Sequence, residues 1–278
     1  MKIGVRAHDF GKDSPESLAA AIKSAGYEAA HLALFKALSI AGEDMYKQET
    51  VKRVRRAFED AGVEISVLGC YVEPGSMDDG VYEDGLEKFR AHLKIAKALG
   101  AHCVATETTR FSGPEPLREA AYRRVLAFVG EMASEAERQD TYAAIEPVLA
   151  HTVHTPEMVQ RLIRETASPR LKVIFDPVNL LSPTGGDDQK ALWERCFACF
   201  GKDIAAVHIK DGRVENGRYI PLPLGEGVMA FAPVMDWLRL HHAGLPLLRE
   251  EANPALAARE IRFMRGLLTE SGGQGLGS

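Results

Sequence analysis

Apolar and polar positions along this chain fall into two alternating rhythms. One is helical, with apolar residues spaced three and four apart. The other is a short, nearly continuous apolar run of β-branched and small residues. The two are joined by a brief turn that often holds Ala-Gly, as in "AAIKSAGYEAAHLAL", "RAFEDAGVEISVLG", "KIAKALGAHCVATE" and "WLRLHHAGLPLLRE". Glycine after a helical pattern marks a helix end, because it takes the left-handed conformation at little cost. A run of four to seven apolar residues fits a strand buried on both faces. The pattern predicts strands near 2–7, 29–34, 63–69, 101–107, 141–147, 171–176, 204–210 and 245–250. Helices are predicted near 14–25, 46–61, 81–99, 115–138, 155–167, 187–200, 230–243 and 254–270.

Strict alternation of strand and helix calls for right-handed crossovers and a parallel sheet, and eight such units can close into a barrel. An open doubly wound sheet is the alternative, but it announces itself with a glycine-rich phosphate loop after the first strand. "RAHDFGKDS" is not one. The expected fold class is therefore α/β, a single (β/α)8 TIM barrel. One domain over 1–270 is expected, followed by a flexible Gly-rich tail, "SGGQGLGS", over 271–278.

Composition narrows the picture. The chain has 278 residues, 46% hydrophobic and 26% charged, with a net charge of -5. A core of that size needs no disulfide or structural metal to fold. No Lys/Arg-rich block is present, which argues against a nucleic-acid partner. The N-terminus lacks an apolar signal core, and no run of eighteen apolar residues occurs. A cytoplasmic protein with no membrane partner is the expectation. Cys196 and Cys199 form a lone CxxC within a helical stretch. With no second pair, they are expected to be two small apolar residues one turn apart, reduced like the other thiols.

The predicted strands end in polar residues, at the barrel face where active sites sit. Strand one ends in His8 and Asp9, strand three near Cys70, Tyr71 and Glu73, and strand four in Glu107. Strand five ends in Glu146, strand six in Asp176, strand seven in His208, Lys210 and Asp211, and strand eight in Glu250 or Glu251. Three or more carboxylates in a small, partly dry site repel one another, and desolvation costs several kcal/mol. One divalent ion relieves that repulsion. Carboxylates with one imidazole suit Mn²⁺, Mg²⁺, Co²⁺ or Zn²⁺. Strand parity agrees with a common inward face: Glu146 lies on the side of Ala144, Asp176 of Ile174, His208 of Ala206 and Glu250 of Leu248. Glu251 shares its face with Arg249, an arrangement suited to the outside of the barrel. Singly, each acid has an ordinary explanation: Asp176 before Pro177 can begin a turn.

The stretches "LGCYVEP", "HLKIAKALGAHCVATET", "AIEPVLAHTVHTPE", "VIFDPVNLL", "VHIKDGRV", "PLGEG" and "PLLREEANP" together resemble the sugar phosphate isomerase/epimerase family with the xylose-isomerase-like TIM barrel. The resemblance covers nearly the whole chain. It implies one divalent metal held by Glu146, Asp176, His208 and Glu250, with Glu146 and Glu250 acting also as acid and base. Many ketose 3-epimerases of this family have His three residues after the Asp; this chain has Asn179, as some sugar-phosphate epimerase relatives do.

The implied activity is epimerisation or aldose–ketose isomerisation of a sugar or sugar phosphate through a metal-stabilised enediolate. Dehydration of a polyol-type substrate and a non-catalytic sugar-binding barrel are the alternatives. The related endonucleases need a His-rich multi-metal cluster and a basic groove, and neither is evident. For substrate contact the candidates are His8, Glu107, His154, Asn179, Lys210 and Asp211. Glu107 is either a hydroxyl ligand or acid, or a strand-end ion-pair partner. Lys210 either neutralises an enediolate or phosphate or sits at the rim, and Asp211 either orients it or caps the turn. Association into a homo-oligomer is allowed, with no diagnostic interface in the sequence.

Overall fold

The structure, a computed structural model, describes residues 1–215 and 218–269. The tail predicted over 271–278 lies outside the described residues. The barrel strands are β1 (Ile3–Arg6), β2 (Ala29–Leu32), β3 (Glu64–Gly69), β4 (Cys103–Glu107), β5 (Tyr142–Glu146), β6 (Leu171–Phe175) and β7 (Ile204–Ile209). After the hairpin β8 (Asp211–Glu215) and β9 (Arg218–Leu222), the last stave is β10 (Leu247–Arg249). All barrel pairings are parallel, and the sheet closes in the order β1-β10-β7-β6-β5-β4-β3-β2.

The helices are α1 (Pro15–Ser24), the single turn α2 (Leu34–Ala37), α3 (Gln48–Ala61), α4 (Asp79–Leu99), α5 (Arg118–Arg138), α6 (Pro156–Thr166), α7 (Gln189–Phe200), α8 (Phe231–His241) and α9 (Ala257–Thr269). Their ends follow from local chemistry. Ser14, Asp78, Thr155 and Asp188 each accept a backbone N–H of the first turn of α1, α4, α6 and α7. Gly62 and Gly100 stop α3 and α4 in the left-handed conformation, at φ 68° and 77°.

Strand alternation divides the core in two. Ala29, Val67, Cys103, Ala105, Ala144, Ile174, Ala206 and Leu248 fill the barrel interior. Small residues predominate there because the interior of an eight-stranded barrel holds only layers of side chains. The other parity, including Leu32, Leu68, Val104, Ile145, Phe175 and Val207, faces the helices in a larger cluster. Cys196 is buried on α7, and all four cysteines are unbonded thiols.

Two features depart from the sequence pattern. The hairpin β8–β9 falls where the pattern predicts no element; its strands are only partly buried and carry few apolar residues, so they leave little periodicity to read. The last stave is three residues rather than six. It is fixed from outside by Arg249, whose guanidinium donates to both oxygens of Glu260 on α9 at 2.9 and 2.8 Å with both groups buried. Glu260 also accepts the Leu224 N–H at 3.1 Å, so one carboxylate ties α9, β10 and the loop after β9 together.

Candidate metal centre

The four residues at the ends of β5, β6, β7 and β10 converge. Among the described residues, Glu146, Asp176, His208 and Glu250 offer ligand atoms within 4.8 Å of one another, and all are buried. His208 Nδ1 stands 3.2 Å from Glu146 Oε1 and 3.3 Å from Glu250 Oε1. Asn179 Nδ2 donates to Glu146 Oε1 at 2.7 Å. Lys210 Nζ donates to Asn179 Oδ1 at 2.7 Å and lies 2.9 Å from Asp176 Oδ2 and 3.3 Å from Glu250 Oε2. Arg6 Nη1 approaches Glu250 Oε1 at 3.4 Å and donates from Nη2 to Asp9 at 2.8 Å.

Asp176 does two things at once. Its Oδ1 accepts the N–H of Asn179 at 3.2 Å, capping the turn Val178–Leu180. Its Oδ2 faces the cluster, where it forms a buried ion pair with Lys210 Nζ at 2.9 Å. The turn holds one oxygen of the carboxylate and turns the other to the cluster.

Electrostatics in the cluster follow from burial and neighbours. Burial works against a charged His208, but Glu146 and Glu250 outweigh it and push its pKa up to about 9. Burial would raise Glu250, yet His208, Lys210 and Arg6 hold its carboxyl well below the usual range. Asp176 is pushed up to about 6 by burial, against Lys210, with Glu250 and Glu146 adding to the rise. Burial opposes the charge on Lys210, and Asp176, Glu250 and Glu146 more than compensate, holding the ammonium well above its usual range.

Three carboxylates and an imidazole, all buried and with ligand atoms within 4.8 Å of one another, fit a divalent cation. The family pattern described as "Xylose isomerase-like TIM barrel" matches residues 19–267. The chain belongs to that family. None of the curated proteins compared with it matches in sequence.

Among solved structures, a D-tagatose 3-epimerase-like protein is similar at a TM-score of 0.78 and 19% identity, over 96% of this chain and 97% of that one. An L-ribulose 3-epimerase is similar at 0.76 and 18%, over 96% and 94%. A xylose isomerase-like TIM barrel protein from Mycobacterium smegmatis in complex with magnesium is similar at 0.71 and 16%, over 96% of each chain. At these identities the likeness is one of fold.

The other candidates sit at varying distances from the cluster of this xylose isomerase-like barrel. Asn179 and Lys210 are part of it. Glu107, beside Glu146 in strand register, lies 3.5 Å from Nε2 of His151, a ring kept neutral by burial and Arg110, which push its pKa down to about 4. Burial first, then Glu146 and Glu250, push the pKa of Glu107 up to about 7. His8 packs edge-on against Tyr71, and its buried Nδ1 has no hydrogen-bond partner. Burial, Arg6 and Lys36 push it down to about 4, so its imidazole is neutral.

Two candidates have their contacts within loops. His154 Nδ1 lies 3.4 Å from the Thr152 carbonyl in its own loop. Asp211 is fully engaged by backbone: its oxygens accept the N–H groups of Gly212, Gly225, Gly227 and Met229 at 2.9, 2.9, 2.9 and 3.1 Å. The bonds from Gly225, Gly227 and Met229 clamp the loop after β9, and the one from Gly212 lies within β8.

Sequence reasoning passed over three residues of the mouth. Arg6 contacts Glu250, and Lys36 Nζ lies 3.4 Å from the centre of the Tyr71 ring. His31, buried on β2, lies with Nδ1 3.1 Å from His208 Nε2. A lone histidine in "AAHLAL" was the available signal.

Proposed function

We propose that this chain is a divalent-metal-dependent sugar or sugar-phosphate epimerase or aldose–ketose isomerase. The observation that carries the reading is the pair of carboxylates, Glu146 and Glu250, standing on one imidazole nitrogen at 3.2 and 3.3 Å with Asp176 beside them. Glu146, Asp176, His208 and Glu250 would hold the ion, one of Mn²⁺, Mg²⁺, Co²⁺ or Zn²⁺. When bound, it supplies Lewis acidity that makes the C–H beside a sugar carbonyl easier to ionise.

The chain's own residues do the rest. One of Glu146 and Glu250 takes the proton from carbon, and the other returns one. Return to the opposite face of the same carbon gives epimerisation; return to the neighbouring carbon gives isomerisation. Asn179 holds Glu146 Oε1 by its amide, which fixes the direction in which that carboxylate points. Lys210 brings a permanent positive charge next to the developing oxyanion. Glu107 and His8, at the periphery, would bind sugar hydroxyls. The family and the sugar epimerases among its structural likenesses support this reading.

The test is a panel of ketoses and ketose phosphates incubated with the protein and Mn²⁺ in D₂O and followed by NMR. Deuterium at the carbon next to the carbonyl, with a new epimer or isomer, is the expected result. No exchange across the panel, in a protein shown to bind the ion, would count against the chemistry.

A further inference from the structure

His31 is not one of the four proposed ligands, although it offers a ring nitrogen within 4.8 Å of ligand atoms of His208 and Glu250, and several features are built around it. Its ring is stacked on His208 at 5.1 Å between centroids and 16° between planes. Tyr71 lies nearly parallel to it as well, at 6.2 Å and 6°. On the adjacent strand, Gly69 makes the space: a Cβ there would stand 2.4 Å from His31 Nε2. The rest of β2 is Ala29, Ala30 and Leu32. A polar ring has therefore been given a fitted seat, although burying such a ring without a hydrogen bond is costly.

We propose that His31 is a positioning residue: its Nδ1 accepts the Nε2–H of His208, leaving His208 Nδ1 as the nitrogen offered to a divalent ion. The inference rests on the reading of the cluster as a metal site. Its logic is one of proton placement. His208 Nδ1 is the atom that faces Glu146 and Glu250. A neutral imidazole with Nδ1 given to a metal carries its proton on Nε2. His208 has no solvent-exposed surface, so that N–H needs a protein acceptor. Among the described residues His31 Nδ1, at 3.1 Å, is the acceptor recorded for it.

His31 accepts there only with its own proton on Nε2, and no hydrogen-bond partner at Nε2 dictates otherwise. A carboxylate could also accept this N–H, but it would add negative charge beside three carboxylates. A neutral imidazole orients His208 without doing so. Such outer partners fix the tautomer and angle of a metal-binding histidine, and losing one costs roughly 10–100-fold in metal affinity.

Two variants of the full chain separate this role from packing. His31→Phe keeps a flat ring for the stack and removes the acceptor. His31→Asn restores an oxygen near the position of Nδ1. Titration calorimetry with Mn²⁺ should show affinity roughly 10–100-fold weaker for His31→Phe, with His31→Asn close to the parent. In the Cu²⁺-loaded proteins, spin-echo modulation from the imidazole nitrogen remote from the ion should change in His31→Phe and return towards the parent in His31→Asn. Equal Mn²⁺ affinity in His31→Phe and the parent, or an Asn variant as weak as the Phe variant, would overturn the proposal. So would a parent spectrum with two coordinated imidazoles.

The tautomer is also read directly from ¹⁵N shifts of His31 in the metal-free parent, which needs no variant to fold. An unprotonated, hydrogen-bonded Nδ1 is expected; a protonated Nδ1 would sink the pairing. A parent chain that takes up no ion while His31 keeps the expected tautomer would remove the metal reading of the cluster and leave the His31–His208 pairing standing.

Discussion

Lys210 Nζ lies 2.9 Å from Asp176 Oδ2, at the end of the barrel where Asp176 is wholly buried and Lys210 nearly so. The same ammonium reaches Glu250 at 3.3 Å. It thus neutralises, from one side, two of the carboxylates proposed to hold the ion. In Lys210→Met both would keep their burial and lose this partner. Removing one member of a buried pair costs about 3–5 kcal/mol. The expected outcome is a loss of that order in urea denaturation of chelator-treated protein, and a much smaller loss at saturating Mn²⁺, since a divalent ion would neutralise the same oxygens. Equal losses in both conditions would show that ion and ammonium do not share these carboxylates.

The metal-free protein should lose stability as pH rises from neutral. His208 titrates at about 9 in the fold against 6.5 for the ordinary side chain. A raised pKa contributes stability that is complete below the unfolded value and is lost as pH passes the folded one. For His208 that window runs from about 6.5 to about 9. Glu107, raised from 4.5 to about 7, acts with the same sign between those values, mostly below the His208 window. Thermal melts of chelator-treated protein should therefore fall between neutral pH and about 9. With excess Mn²⁺ the trend should weaken or reverse, because a metal needs the deprotonated imidazole and its affinity rises with pH. A flat chelated profile would contradict the charge balance described for His208.

The barrel was legible because its signal is repetitive: a helical stripe, a turn glycine and a strand buried on both faces recur along the chain. The four proposed ligands were picked out by the family resemblance, and strand parity agreed with it. Ala144, Ile174, Ala206 and Leu248 fill the interior layer, and Glu146, Asp176, His208 and Glu250 each stand two residues further along the same strand. What escaped depends on contacts between distant strands. His31 gains meaning only beside His208 and above Gly69, neither of which its own strand reveals. Asp211 and Lys210 are adjacent in "HIKDG" and look alike as candidates, yet they face opposite tasks because successive side chains leave the backbone on opposite sides. The hairpin after Lys210 is half-exposed, so its strands lack the apolar run that marked the staves.

Replacing either proposed acid–base carboxylate should be severe. Glu146→Gln and Glu250→Gln keep the shape and remove the proton acceptor. Proton transfer from a placed group is worth roughly 10²–10⁴ in rate, and losses of that size are expected for turnover. If each carboxylate serves its own face of the substrate, one variant should still exchange the substrate's proton with D₂O while failing to form product from it. Deuterium washout measured separately from product formation distinguishes the cases. Retention of full turnover in either variant would remove that residue from the acid–base pair.

Asp211 should matter through the loop it holds. Its carboxylate gathers the N–H groups of Gly212, Gly225, Gly227 and Met229. The fit at Gly227 is close, since a Cβ there would lie 2.1 Å from Asp211 Oδ1. Asp211→Ala leaves those amides without their acceptor; the N–H groups of Gly212 and Met229 are buried, and an unsatisfied buried group costs about 1–3 kcal/mol. Gly227→Ala should do similar damage from the other side, by displacing the carboxylate. Both variants are expected to raise hydrogen exchange across 223–229 and to disturb Lys210, the neighbour of Asp211 in the chain. A direct substrate contact by Asp211 predicts something different: a raised KM in Asp211→Ala with the loop's exchange unchanged, and no such effect in Gly227→Ala. Exchange mass spectrometry on the two variants, set beside their KM values, decides between the loop clamp and the substrate contact.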